Sequence, residues 1–424
     1  MAFFYHILSL LIAIIIVPIF TILSFFSKHK FKFLKHHFGF VPKIKKEEGK
    51  ILWVYALSLG EVKAAAPILK TIHKKNLNLK IVVSVTTDSG YEGALMHLKI
   101  VENIFFHPLD CLPFTWLARN RIQPDIYAVT DTGFWPGLID QLHKQNIPII
   151  LLNGRISHRS ASGYLKAGSL FRNMFQQFNL LCMQNNNSQE NMVALGVNPE
   201  KIKVVGDPKF DSLQAMTNND INGLRQYYKL EKSTPVWIAG STHAGEEEII
   251  LNAHQRLKEK HPCLVLILAP RRIERVDKIA ALLEKKSIPY CRHSLLKNSE
   301  PESVILLDTF GELATIYSLG QVVFIGRSLI EPGGGHSLIE PLSHGVAVLH
   351  GPYIENIDHV ADKAHKQSVA FTVRNSEEIK EKVDSLLTQK NYRRSLACKA
   401  KSFVNDQQGA AEKIATIMFK FLRA

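Results

Sequence analysis

The feature that most constrains this chain is the repeated pairing of a short, apolar, β-prone run with a helical pattern behind it. The run ILWVYAL (51–57) ends at Ser58-Leu59-Gly60 and gives way to EVKAAAPILKTIHKK. KIVVSVTT (80–87) is followed by DSGYEGALMHL, and DIYAVTD (125–131) and IPIILLNG (147–154) are separated by a polar helical pattern around 137–145. Strands spaced by whole helices cannot form hairpins, so they pair in parallel through crossovers. The pattern lapses over the polar stretch 212–234 and resumes with PVWIAGS (235–241), LVLILAP (264–270), VILLDT (304–309), QVVFIGRS (321–328) and AVLHGP (347–352). The expectation is an α/β chain of two consecutive doubly wound, Rossmann-like parallel-sheet domains, 28–215 and 216–400. A closing helix at 401–424 is free to pack back on the first domain.

The N-terminus carries a different signal. Ile7 to Phe26 is a run of 20 residues without a charge, long enough to cross a bilayer core as a helix. It is followed at once by KHKFKFLKHH and by Lys43, Lys45 and Lys46, with no Lys or Arg before it. The positive-inside rule then puts everything after the run in the cytoplasm. A cleaved leader would carry its charges ahead of the apolar run, not behind it. Residues 1–27 are therefore expected to be a single membrane anchor, with Pro18 leaving both a spanning and a monotopic insertion open.

Lys and Arg together number 52 against 38 Asp and Glu, a net charge of +14 that favours a polyanionic neighbour. The basic residues interleaved with Phe31, Phe33, Leu34 and Phe38 stand beside the anchor. That pattern suits an acidic lipid surface better than nucleic acid. Cys111, Cys182, Cys263, Cys291 and Cys398 are too scattered for a disulfide framework or a zinc site. No HExxH, Walker A loop or GxGxxG fingerprint occurs, and no metal is expected.

In doubly wound sheets, ligands gather beyond the carboxyl ends of the strands. Glu61 follows the first strand and opens a helix, where it can serve as a first-turn cap or as a general base. Asp131 follows the third run, and Lys209 lies in GDPKFD (206–211). In the second half, Ser241 and Thr242 end a strand ahead of AGEEE; hydroxyls and backbone N–H groups at such a helix N-terminus suit an anion, or the acids at 246–248 are simple first-turn caps. Pro270-Arg271 ends the next strand, and Arg suits bidentate phosphate contact. Gly311-Glu312-Leu313 and Ser337-Leu338-Ile339-Glu340 open further helical turns; Glu340 can hold ribose hydroxyls, and Gly333-Gly334-Gly335 can let backbone approach a ligand.

Taken in order, SLGEVKAAAPIL, TTDSG, HPLD, FWP, NGRISHRS, GDPKFD, STHAGEEE, PRRIER, DTFGELATIY, GRSL, GGGHSLIEP and GPYIEN resemble one family, the Kdo (3-deoxy-D-manno-octulosonate) transferases of lipopolysaccharide biosynthesis. The resemblance implies a GT-B fold and inverting transfer of Kdo from CMP-Kdo to the lipid A precursor, lipid IVA, with no cofactor, among inner-membrane lipids at the cytoplasmic face of the bacterial inner membrane. It implies Glu61 as catalytic base and Asp131 and Lys209 as groups that stabilise the transition state. Ser241, Thr242, Pro270, Arg271, Gly311, Glu312, Leu313, Ser337, Leu338, Ile339, Glu340 and Asn356 would bind CMP-Kdo. The chain departs from the family pattern twice. An acid-Thr-acid-Leu-Trp-Pro run stands here as Asp131-Thr132-Gly133-Phe134-Trp135-Pro136, and a His-Asn-Pro-Leu-Glu-Pro run as His336-Ser337-Leu338-Ile339-Glu340-Pro341. A divergent paralogue with another acceptor, or an inactive glycolipid-binding protein, are the alternatives these changes leave open.

Overall fold

A computed structural model describes residues 2–25, 30–45, 49–75, 78–131, 133–213, 216–298 and 301–423. The expected domain boundaries at residues 27 and 215, and Thr132, lie outside the described residues. The chain divides into two compact units, one formed by Met1–Ser212 with Gln407–Ala424 and the other by Leu213–Asp406.

The first unit is built on β1 (Ile51–Ala56), β2 (Lys80–Val85), β3 (Asn103–Phe106), β4 (Ile126–Thr130), β5 (Ile149–Gly154), β6 (Leu180–Met183) and β7 (Ile202–Val204). They form one parallel sheet in the order β3-β2-β1-β4-β5-β6-β7. The order reverses between β1 and β4, so the helices after these two neighbours leave to opposite faces and a crevice opens at their carboxyl ends. All six residues of β1 are buried. Trp53, Tyr55 and Tyr127 pack on one face of the sheet, while Val54, Ala56, Ile68 and Leu69 pack on the other. Burial on both faces is why the run reads as continuously apolar.

The second unit repeats the plan with β8 (Val236–Thr242), β9 (Val265–Pro270), β10 (Tyr290–Arg292), β11 (Val304–Leu306), β12 (Val322–Ile325), β13 (Ala347–His350) and β14 (Ala370–Thr372). The order is β10-β11-β9-β8-β12-β13-β14, and the reversal falls between β8 and β12. The nine β-prone runs named from the sequence all become strands. The strands β3, β6, β7, β10 and β14, of three or four residues each, are not among those runs.

At the N-terminus, Ala2–Phe25 forms one helix with Pro18 inside it. Among the described residues, no helix is long and apolar enough to cross a membrane.

The Ala410–Arg423 helix belongs to the first unit, where Ile414, Ala415 and Met418 join the core beside β1 and the Leu59–Lys75 helix. Its start is fixed by Asp211, whose carboxylate accepts the backbone N–H groups of Gly409 (2.6 Å) and Ala411 (2.7 Å). A carboxylate at a helix N-terminus satisfies orphan donors and complements the dipole. Asp211→Ala should lower the stability of this unit by about 1–2 kcal/mol, read as a lower urea midpoint at unchanged slope.

Candidate active site

Glu61 stands in the first turn of the Leu59–Lys75 helix, directly beyond β1. Its Oε2 accepts from the Ser58 backbone N–H at 3.0 Å and from the Ser58 hydroxyl at 2.5 Å. That is one half of a capping box, so the capping role is real. The loop beneath it is held by the next helix, Asp88–His97. Thr87 accepts from Gly90 N–H at 3.0 Å, and a Cβ on Gly90 would lie 3.1 Å from Ser58 Cα. Gly93 is tighter still, since a Cβ there would meet Leu59 Cδ1 at 2.4 Å. The small residues of the DSGYEG stretch thus seat one helix against the turn that carries Glu61.

Asp131 follows β4, across the switch point from Glu61, with a left-handed φ of 63°. It is 7% exposed, and its Oδ1 has no hydrogen-bond partner among the described residues. Burial pushes its carboxyl up to about 6; the charges of Lys209 and Arg155 oppose that rise, and those of Glu61 and Asp207 add to it. Lys209 is set by its own backbone, whose N–H donates to Asp207 Oδ1 at 2.9 Å. Glu61, Asp131 and Lys209 therefore share one electrostatic neighbourhood at the β1/β4 crevice. Arg155, at the end of β5, joins them without having been singled out from the sequence.

Gly133 has a steric cause. A Cβ at this position would lie 2.4 Å from Tyr55 Cε1, because the Tyr55 ring fills the space and its hydroxyl lies 2.9 Å from Thr86 Oγ1. The following helix, Pro136–Lys144, is capped by Asp110, which accepts from Gly137 N–H (2.8 Å) and Leu138 N–H (2.7 Å).

In the second unit, the turn after β8 and the turn after β12 are joined by one side chain. Glu246, 1% exposed, accepts four backbone N–H bonds: His243 and Arg327 at 2.8 Å on Oε2, Ser328 at 2.8 Å and Leu329 at 3.0 Å on Oε1. Glu247 is also buried and takes a bidentate contact from Arg275 at 2.5 and 3.1 Å. The His243 contact is a first-turn cap, but reading the AGEEE acids as caps alone misses the other three Glu246 partners, which lie 81–83 residues away.

Ser241 takes a left-handed φ of 58° at a bulge in β8, and Thr242 is buried with no partner for Oγ1 among the described residues. Arg271 follows β9; it is exposed and anchored by its N–H to Thr242 O at 3.0 Å. His336 Nε2 lies 3.0 Å from His243 Nε2. Burial, with the charges of Arg271, His243 and Arg327, pushes His336 down to about 3. One ring nitrogen must donate and the other accept, which neutral imidazoles can do. Arg327, in a left-handed φ of 60°, adds a second cation that the sequence reading did not name.

The remaining sequence-predicted residues divide. Pro270 ends β9, and Gly311, with a φ of 95° and open space around it, precedes Glu312, which bonds Thr309 Oγ1. The helix begun by Leu313 runs to Ile316, a single turn. Ser337 Oγ accepts from Ile339 N–H at 3.2 Å, and Glu340 lies in the turn it opens. Leu338 and Ile339 are buried, so their side chains serve the core. Gly333, Gly334 and Gly335 press against 353–357: a Cβ on Gly334 would lie 2.2 Å from the Asn356 amide. Packing against protein by itself requires glycine at these positions. Among the described residues, no group of three or more His, Cys, Asp or Glu could hold a metal ion.

A 3-deoxy-D-manno-octulosonic acid transferase of Haemophilus influenzae is 32% identical to this chain over 99% of the chain and 98% of its own length. The chain belongs to the Kdo transferase family. The family model for 3-deoxy-D-manno-octulosonic-acid transferase (kdotransferase) matches residues 32–212, the stretch that holds Glu61, Asp131 and Lys209. A Chlamydia trachomatis transferase of the same description is 24% identical over 91% of this chain and 89% of its own. Among solved structures, a UDP-GlcNAc 2-epimerase from Neisseria meningitidis superposes with a TM-score of 0.60 at 15% identity, over 88% of this chain and all of that one. The epimerase shows the fold, two parallel-sheet α/β domains of GT-B type. This Kdo transferase is thus a glycosyltransferase of lipopolysaccharide biosynthesis.

In this Kdo transferase the raised Asp131 carboxyl has two readable consequences. Its ordinary value is 3.8 and its folded value about 6, so the folded state binds the extra proton between them and loses stability as pH rises through 6. At about 1.4 kcal/mol per unit, the cost at pH 7 is on the order of 3 kcal/mol. Asp131→Asn should therefore unfold at a higher temperature than the parent at pH 7–8, with the gap closing below pH 4. Activity that needs ionised Asp131 falls below about pH 6, and Lys209→Met should move that limb to higher pH. Separately, Glu246→Ala would orphan four N–H groups and should cost at least about 3 kcal/mol, measured by urea unfolding.

Proposed function

We propose that this chain is an inverting transferase that moves Kdo from CMP-Kdo to a sugar hydroxyl of lipid IVA, working from the cytoplasmic face of the inner membrane. The observation that carries the reading is the crevice between β1 and β4. There Glu61, on a helix start, faces the neighbourhood of a buried Asp131 balanced by Lys209 and Arg155. Such a site suits a proton transfer accompanied by charge movement.

In this reading the acceptor oxygen attacks the anomeric carbon of Kdo while Glu61 takes its proton. The bond from that carbon to the phosphate oxygen breaks, and CMP leaves with the electron pair. One displacement inverts the anomeric centre. Arg271 and Arg327, gathered near His336, are the cations for the departing phosphate. Glu340 and Asn356 are assigned to the nucleotide and Ser241 and Thr242 to its phosphate side. No cofactor beyond the donor is invoked.

The net charge of +14 and the exposed apolar helix at the N-terminus support a phosphorylated glycolipid acceptor in a membrane. A second reading, a paralogue with another acceptor, is favoured by Gly133, because Tyr55 occupies the space where the family pattern has an acid. Glu61→Gln separates the base from binding. Transfer to lipid IVA should fall by about 10²- to 10⁴-fold while calorimetry still registers CMP; near-normal turnover would remove Glu61 from the mechanism.

A further inference from the structure

The Ala2–Phe25 helix has two opposite faces. Tyr5 Oη donates to Asp110 Oδ2 at 2.6 Å, and His6 Nε2 lies 3.3 Å from Asp140 Oδ2. Asp110 and Asp140 belong to the cap and body of the Pro136–Lys144 helix of the first unit. Ala13, two turns beyond His6 on the same face, is 8% exposed. Leu8, Leu11, Ile15, Ile19 and Ile22 recur every three or four residues on the far face, and all are between 49% and 65% exposed.

The chain that follows returns to the same unit. In the Lys30–His37 helix, His36 Nδ1 accepts from Phe106 N–H at 3.3 Å, and His37 Nδ1 donates to His107 O at 2.8 Å. The N-terminal helix is about 36 Å long at 1.5 Å per residue, against a bilayer core of about 30 Å. Were it to cross that core, its first turn would stand on the side away from the segment that succeeds it. Instead Tyr5, His6, His36 and His37 all bond one folded unit.

We propose that this helix is a monotopic anchor, lying lengthwise in the leaflet that faces the first unit, with both ends on one side of the bilayer. The occupant of its exposed stripe is an anionic lipid leaflet. Exposed Lys35, Lys43 and Lys45 follow it and match acidic headgroups. The Leu112–Ile122 helix, which packs against it, presents Leu112 (44%) and Trp116 (54%) one turn apart. An exposed tryptophan beside an apolar stripe suits the headgroup boundary. This inference rests on the membrane attachment given under the proposed function and adds its geometry.

The test uses the full chain as A2C in membranes, treated with an impermeant maleimide, with the modified peptides read by mass spectrometry. Native Cys263 and Cys398 are exposed and mark the side of the globular units. The cysteine of A2C should react in inside-out vesicles together with Cys263 and Cys398, and be protected with them in spheroplasts. Reaction in spheroplasts while Cys263 stays protected would overturn the monotopic geometry and leave attachment standing. Recovery of the chain in the soluble fraction would overturn attachment itself. With vesicles of brominated phosphatidylglycerol, the share of emission that W116F removes should be quenched; an unquenched Trp116 would contradict the lipid-facing surface.

Discussion

Everything in this molecule follows from parallel strand pairing. A parallel sheet joined by helical crossovers is covered on both faces, so its strands must be apolar throughout. β1 with all six residues buried and β12 with all four show the constraint at its strictest. Polar chemistry is thereby pushed to the strand ends, and the reversals of order at β1/β4 and β8/β12 fix where the ends diverge. Glu61, Asp131, Thr242 and Arg327 all stand at those two places, where the strands end and the covered faces of the sheets give way to turns.

Once there, the groups are tuned by what surrounds them. Asp131 is buried enough for its proton to be held into the neutral range, and Lys209 and Arg155 keep it from going further. His336 is driven the other way by burial beside cations. Loop shape is held by backbone capture: Glu246 gathers four N–H groups from two turns, and Asp110 and Asp211 start helices. The strain of left-handed Asp131, Ser241 and Arg327 falls at the same strand ends, the usual location for stored conformational cost.

The fold was legible because its signal is local. Runs such as ILWVYAL and LVLILAP announce themselves, and the polar gap at 212–234 marks the change of unit. β7, with Lys203 and Val204 exposed at its centre and end, gives no such signal. The site was legible only as a set of strand-end residues. Their roles as capping, clamping or core groups depend on partners far along the chain. Glu246 reads as a first-turn acid until Arg327 and Ser328 are placed beside it, and Gly133 reads as a lost acid until Tyr55 is seen in its space. That the side chains of Leu338 and Ile339 are buried is likewise not readable from the segment itself.

The central claim is transfer of Kdo to a lipid A precursor, and mass spectrometry of the lipid tests it most directly. The purified full chain is incubated with CMP-Kdo and lipid IVA, with CMP release followed in parallel. The account predicts a lipid heavier by one or more Kdo residues, with CMP released in step. An unchanged lipid alongside an active donor preparation would contradict it.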